Sequence, residues 1–209
     1  MWRFFGKRIR RKSELNMETL RRVQAVEWER TPRVDIPVTY GWRAWHHERF
    51  GGSPIPICLK PTEPFSHNRL FLGPSQVELG DVERPQVDSI VNLCELDDAW
   101  DLCEDDRRLP RGEGAFGYTW QQLYEDTNDT AELIHAGKRV LVHCMAGVNR
   151  STTLVCATLM RVEGITARDA LMRVYRFHPR AHPEDRHWLV LRQIDIVFSD
   201  EARGIAPVG

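Results

Sequence analysis

KRVLVHCMAGVNRS, residues 138–151, reads as a buried strand, a tight turn and the first turn of a helix. Val140, Leu141 and Val142 form a short β-branched-rich apolar run, as an interior parallel strand requires. Residues 151–160, STTLVCATLM, follow as a helix buried on most sides. Between strand and helix stands Cys-x5-Arg, with Gly147 in its middle. This spacing gathers one thiol, one guanidinium and a row of backbone N–H groups around one point. Such N–H groups at a helix N-terminus make an anion cradle.

The chemistry follows from the placement. Positive potential at a helix N-terminus favours the thiolate form of a cysteine placed there. A thiolate in a phosphate cradle is a nucleophile aimed at phosphorus. Arg150 can grip two equatorial oxygens with its planar fork, which a lysine cannot do. Gly147 allows positive φ or close backbone approach. The Ser151 hydroxyl can donate to the Cys144 sulfur, and His143 can fix the loop through a ring hydrogen bond. The plain alternative is a packed, inert cysteine. The coincidence of His143, Cys144, Gly147, Arg150 and Ser151 at one strand-to-helix junction argues against it.

The stretch HCMAGVNRS, residues 143–151, closely resembles the His-Cys-x-x-Gly-x-x-Arg-Ser/Thr signature of the cysteine-dependent protein tyrosine phosphatase superfamily. The Ala146-Gly147 pair points to its dual-specificity branch. The resemblance implies that Cys144 is the nucleophile, Arg150 the phosphate-binding arginine and Ser151 the hydroxyl that assists phosphoenzyme breakdown. It implies a phosphate-binding loop made of His143, Met145, Ala146, Gly147, Val148, Asn149 and Arg150. It further implies a phosphorylated protein as substrate and no cofactor.

The chain has 209 residues, enough for one sizeable core plus an extension. A net charge of −1 gives no global electrostatic argument for nucleic acid, and no DNA partner is expected. Cys58, Cys94, Cys103, Cys144 and Cys156 form no Cys-x-x-Cys pair, which favours a reducing compartment and argues against structural zinc. No apolar run approaches transmembrane length, and the first dozen residues lack the apolar core of a secretory signal. A cytoplasmic location is therefore expected.

Residues 1–12, MWRFFGKRIRRK, carry six basic residues, with Trp2, Phe5 and Ile9 at helical spacing. They read either as a weak membrane-surface contact or as a solvated basic terminus. Ser13 is a candidate cap for a helix through Leu20, Val23 and Val26 to Trp28. Residues 31–64 are rich in Pro, Gly and aromatics and read as an irregular wrapping segment and linker. His46-His47-Glu48 lacks a further metal ligand at a sensible spacing. Residues 1–64 are thus expected to form an extension, 65–198 the catalytic domain and 199–209 a flexible tail.

Within the domain, residues 69–73 and 87–94 read as strands, with a short helix over 77–82 between them. Trp120, Leu123, Thr127, Ala131 and Ile134 mark one face of a helix that Gly137 ends. The strand-helix-strand order predicts an α/β fold with a mostly parallel central sheet flanked by helices. Thr166 to Asp169 resembles a capping box, and Pro183 suits the first turn of a last helix.

Dephosphorylation needs a proton for the departing oxygen. The resemblance implies an Asp about thirty residues before the Cys, on a mobile loop. Glu113 lies 31 residues before Cys144, in a Pro/Gly loop just upstream of the Trp120 helix. Its extra methylene shifts the carboxyl by roughly an ångström, enough to affect rate. Asp105 and Asp106 are the next candidates, and a chain without a side-chain acid is the third reading. Asp126 and Asp129 rank lower because they fall within the helix.

The variable loop positions bear on substrate. Met145 and Val148 are apolar where phosphoinositide phosphatases of the superfamily place lysines, which argues against a polyanionic headgroup. Asn149 matches the form seen in the RNA 5′-triphosphatase branch, although Ala146 and Thr152 depart from it. Arg176, His178, Arg180, His182, Arg186 and His187 are candidates for a basic rim around the site, or for a solvated basic face. A phospho-binding protein that has lost catalysis is the reading from a different class.

Overall fold

The computed structural model describes residues 16–33, 55–57, 69–75, 86–94, 107–109 and 117–205. In chain order the elements are α1 (Met17–Gln24), β1 (Ile55–Ile57), β2 (Leu70–Pro74), β3 (Ser89–Asn92), β4 (Arg107–Arg108) and α2 (Trp120–His135). They continue with β5 (Val140–Cys144), α3 (Arg150–Glu163), α4 (Ala167–Phe177) and α5 (Asp185–Ala202). The strands form one five-stranded sheet in the order β1-β2-β5-β3-β4.

β5 lies at the centre, and all of its residues are buried. It runs parallel to β2, with Leu70 opposite Val140 and Pro74 opposite Cys144. It also runs parallel to β3, with Ser89 opposite Val140 and Asn92 opposite His143. β4 adds in parallel to β3, and β1 pairs antiparallel with β2. The sheet is thus mostly parallel, as the element order predicts. The pleat divides β5 between two sides: Val140, Val142 and Cys144 join the main core, whereas Leu141 packs with Ile90, Phe71 and Val87. Burial on both sides explains the continuous apolar run. In this register the C-terminal ends of β2, β5 and β3 converge, which is where open parallel sheets hold ligands.

The helices form where their ends are capped and one face is apolar. α2 opens on a capping box between Thr119 and Gln122, and its buried face includes Leu123, Thr127, Thr130, Ala131 and Ile134. Thr166 caps α4 by accepting from the Asp169 N–H. α3 is buried continuously from Arg150 to Met160 because it packs against α2, α4 and α5 and against the sheet. Gly164 ends it in the left-handed conformation, at φ 66°.

Several boundaries differ from expectation. Ile55–Ile57, placed in the linker, is the edge strand β1. Proline is tolerated there because an edge strand needs only one set of ladder bonds. α1 starts at Met17 with Asn16 as its cap, and it stops at Gln24 instead of reaching Trp28. The Val23 carbonyl in its last turn and the Glu27 carbonyl beyond it accept from Gln193 and Arg192 of α5. α5 begins at Asp185, so Pro183 precedes the helix. α5 also runs through Ser199 to Ala202, into the stretch expected to be a loose tail. There Asp200 is buried and accepts hydrogen bonds from Thr19, Arg22 and Arg203. Burial raises its carboxyl pKa, but these donors outweigh that and hold it below the usual range. The expected helix over 77–82 and the basic segment 1–12 lie outside the described residues.

Candidate active site

β5 ends at Cys144 and α3 begins at Arg150, so the predicted turn is the five-residue loop 145–149. The Cys144 sulfur lies 3.2 Å from the Ser151 hydroxyl oxygen, and both residues are buried. Arg150 is 4 % exposed, and its Nη1 donates to the Leu93 carbonyl at 3.2 Å. The guanidinium is therefore braced against the end of β3. His143 is fully buried, and its carbonyl accepts from the Leu93 N–H at 2.9 Å. Thiol, hydroxyl and guanidinium thus meet at one strand-to-helix junction.

The loop is held by its carbonyls. Met145 O accepts from Ser75 N at 3.0 Å, and Val148 O accepts from His182 N at 2.8 Å. Gly147 O is 3.0 Å from His178 Nε2. Asn149 O accepts from both Thr153 N and Thr153 Oγ1, each at 2.9 Å. The Asn149 side-chain Oδ1 accepts from Glu184 N at 2.9 Å. Among the described residues, no carbonyl accepts from the N–H groups of residues 145–149. Acceptors bound by the scaffold and unspent donors make a concavity suited to an anion. Gly147 has φ +68°, and a Cβ there would sit 2.7 Å from the Gly73 carbonyl carbon and 2.8 Å from Pro74 N. The loop presses directly on the end of β2.

The basic rim is corrected in part. His178 and His187 are fully buried. His178 is a brace for Gly147. Neither ring nitrogen of His187 has a hydrogen-bond partner among the described residues, and the ring stands edge-on to Tyr118, centroids 5.9 Å apart. Burial, followed by the charges of Arg150 and Arg186, pushes its pKa down to about 4. It is a neutral imidazole packed near the Arg150 charge. Arg176 and Arg186 are exposed, and Arg180 and His182 are half-buried.

Glu113, Asp105 and Asp106 lie outside the described residues. Asp126 is buried within α2. Cys94, Cys144 and Cys156 carry thiols, not disulfides. Burial pushes the Cys156 thiol far up, so it stays protonated. Among the described residues no three His, Cys, Asp or Glu groups are placed to hold a metal. Sequence reasoning missed Ser75, His178 and the 182–184 turn as loop supports. Their bonds reach across 70, 31 and about 35 residues, and nothing local to them marks the role.

Two outcomes are expected. Gly147→Ala meets backbone on β2 and a φ that disfavours side chains. It should cost about 2–4 kcal/mol in urea unfolding and weaken oxyanion binding. A variant as stable as wild type would refute this packing. For His187 the folded pKa of about 4 lies below the ordinary 6.5. The unfolded chain therefore takes up a proton that the folded chain refuses. The stability tied to this is complete above pH 6.5 and is lost as pH falls towards 4, up to about 3 kcal/mol. His187→Phe should flatten the wild-type dependence between pH 7 and pH 5, read by urea unfolding.

Comparison with known proteins agrees with this geometry. Residues 118–196 match the family model described as dual specificity phosphatase, catalytic domain. The chain is 47% identical to human dual specificity protein phosphatase 15 over 47 residues, covering 22% of this chain and 16% of that protein. It is 33% identical to human dual specificity protein phosphatase 21 over 95 residues, covering 42% of this chain and 50% of that protein. The chain thus spans half or less of the length of these curated relatives. In fold, it superposes on the crystal structure of DUSP15 with a TM-score of 0.59 at 23% identity, covering 74% of this chain and 96% of that one. The Cys-loop between β5 and α3, the family match over residues 118–196 and these likenesses together support a place in the dual-specificity branch of the cysteine-dependent protein tyrosine phosphatase superfamily.

Proposed function

We propose that this protein is a phosphatase that hydrolyses phosphate monoesters on proteins, acting on phosphotyrosine and on phosphoserine or phosphothreonine through a phosphocysteine intermediate. The observation that carries the reading is the 3.2 Å contact of Cys144 Sγ with Ser151 Oγ at the foot of a loop in which the Met145, Gly147, Val148 and Asn149 carbonyls are bound by the scaffold. The loop N–H groups and Arg150 hold the phosphoryl oxygens. The Cys144 thiolate attacks phosphorus in line, the S–P bond forms and the P–O bond to the leaving group breaks. The leaving oxygen takes a proton from a carboxylic acid, for which Glu113 leads and Asp105 and Asp106 follow. Water then attacks phosphorus and the S–P bond breaks, with Ser151 donating to the departing sulfur.

The half-buried Met145 and Val148 keep added positive charge off the loop, which favours a monoester on protein over a polyanionic headgroup. Asn149 is accounted for by its bond to Glu184, so it adds no support for a triphosphate substrate. The catalytic unit takes in β1 at its sheet edge and the last helix as far as Ala202, and the basic residues 1–12 are a candidate surface contact. Among the described residues no helix is long and apolar enough to cross a membrane. A reducing, cytoplasmic setting suits a catalytic thiol.

Wild type should release phosphate from an aryl phosphate with vanadate sensitivity, and Cys144→Ser should lose at least about 10³-fold in kcat while still binding substrate. Release that survives Cys144→Ser would sink the mechanism. Glu113→Gln should lower kcat by about 10²-fold on a poor leaving group and remove the basic limb of its pH profile, where the proton donor is lost, with Asp105→Asn and Asp106→Asn near wild type. If Glu113→Gln keeps full kcat, the acid lies elsewhere.

A further inference from the structure

The N-terminal extension reaches the Cys-loop by an indirect route. Residues 19–31 run antiparallel along α5. Thr19 and Arg22 bind Asp200, Val23 O accepts from Gln193, and Glu27 O accepts from Arg192. Glu29 accepts from Trp188 Nε1 at 2.9 Å. The series ends at the start of the helix, where Thr31 N donates to Asp185 Oδ1 at 2.9 Å and Thr31 Oγ1 donates to Pro183 O at 2.8 Å. Thr31 is 3 % exposed. The next residue is tied to α4 by Tyr175, whose hydroxyl donates to Pro32 O at 2.7 Å.

The contact point matters because the 182–184 turn holds the Cys-loop. His182 N donates to Val148 O and Glu184 N donates to the Asn149 side chain. α5 has no side-chain cap of its own: Glu184 makes no capping bond. An uncapped helix start is a place where a chain frays. Here the Asp185 carboxylate and the Pro183 carbonyl are occupied from outside, by Thr31. The Thr31 N–H accordingly holds the Asp185 pKa below its ordinary value.

We propose that residues 26–33 are a strap that positions the phosphate-binding loop, with Thr31 as the positioning residue that fixes the 183–185 turn and, through it, Val148 and Asn149. The catalytic readout rests on the phosphatase reading above, whereas the structural readout does not. The strap holds the loop carbonyls turned outward and so keeps the cradle formed before substrate arrives. Arg30 and Arg33 flank Thr31, and their charges reach Asp185 and His182 respectively.

The test compares full-length wild type, Thr31→Val, Thr31→Ser and Thr19→Val. Thr31→Val removes the hydroxyl donor to Pro183 and keeps the shape. Thr19→Val removes a hydroxyl donor to Asp200 in α1, before the strap and at the far end of α5. Amide hydrogen exchange of residues 145–149 and orthovanadate affinity by calorimetry are read alongside kcat and KM on an aryl phosphate. Thr31→Val should speed loop exchange and weaken vanadate binding by about fivefold, the loss expected for one buried hydrogen bond. It should also lower kcat/KM, and Thr31→Ser should restore all three. Thr19→Val should lower Tm similarly but leave loop exchange and vanadate affinity within about twofold of wild type. Equal effects of Thr31→Val and Thr19→Val at the loop would overturn the strap. If wild type releases no phosphate under reducing conditions while Thr31→Val still speeds loop exchange, the phosphatase reading fails and the strap stands.

Discussion

A backbone loop binds an anion only if its own carbonyls are kept away from it. Every carbonyl oxygen carries partial negative charge, and one turned inward would oppose the donors beside it. Loop 145–149 meets this constraint from several directions. Ser75 after β2, His178 after α4, His182 before α5 and Thr153 within α3 each bind a loop carbonyl. These supports come from four separate elements. The sheet register and the packing of α3 against its neighbours serve to bring them together around one turn.

The same arrangement grades polarity along α3. Its first turn carries Arg150, Ser151, Thr152 and Thr153, all buried beside the loop, and its later turns carry Leu154, Val155, Leu159 and Met160. Two cysteines show what this gradient does. Cys156 sits in the apolar part, where burial keeps its thiol protonated. Cys144 sits at the polar end against a serine hydroxyl and beneath a row of backbone donors. One residue type is inert packing at one position and the candidate nucleophile at the other, and only the surroundings differ.

The N-terminal extension is more than a wrapping. α1 and the segment after it spend their side chains and carbonyls on α5 over most of its length, from Asp200 down to Asp185. The helix end that carries no cap of its own is therefore completed by residues distant in sequence. His178 and His187 make a related point. Both were candidates for a cationic rim, yet both are interior: one braces a carbonyl, and the other is held neutral near a guanidinium.

How much was legible in the chain follows from the range of the interactions. The strand 140–144, the turn and helix α3 could be read locally, because a β-branched run, a Gly at positive φ and a helix start leave marks within fifteen residues. The thiol, guanidinium and hydroxyl could be read for the same reason, since Cys-x5-Arg-Ser at a helix N-terminus converges whatever surrounds it. Glu113 rested on spacing and on family resemblance alone, because a loop acid has no local signature. The bonds from Ser75, His178, Glu184 and Thr31 left no trace in the sequence. Each joins groups tens of residues or more apart through an ordinary N–H, hydroxyl or imidazole. Local sequence determines which backbone conformations are cheap. Which distant donor meets which carbonyl is decided only when the sheet register and helix packing set their positions in space.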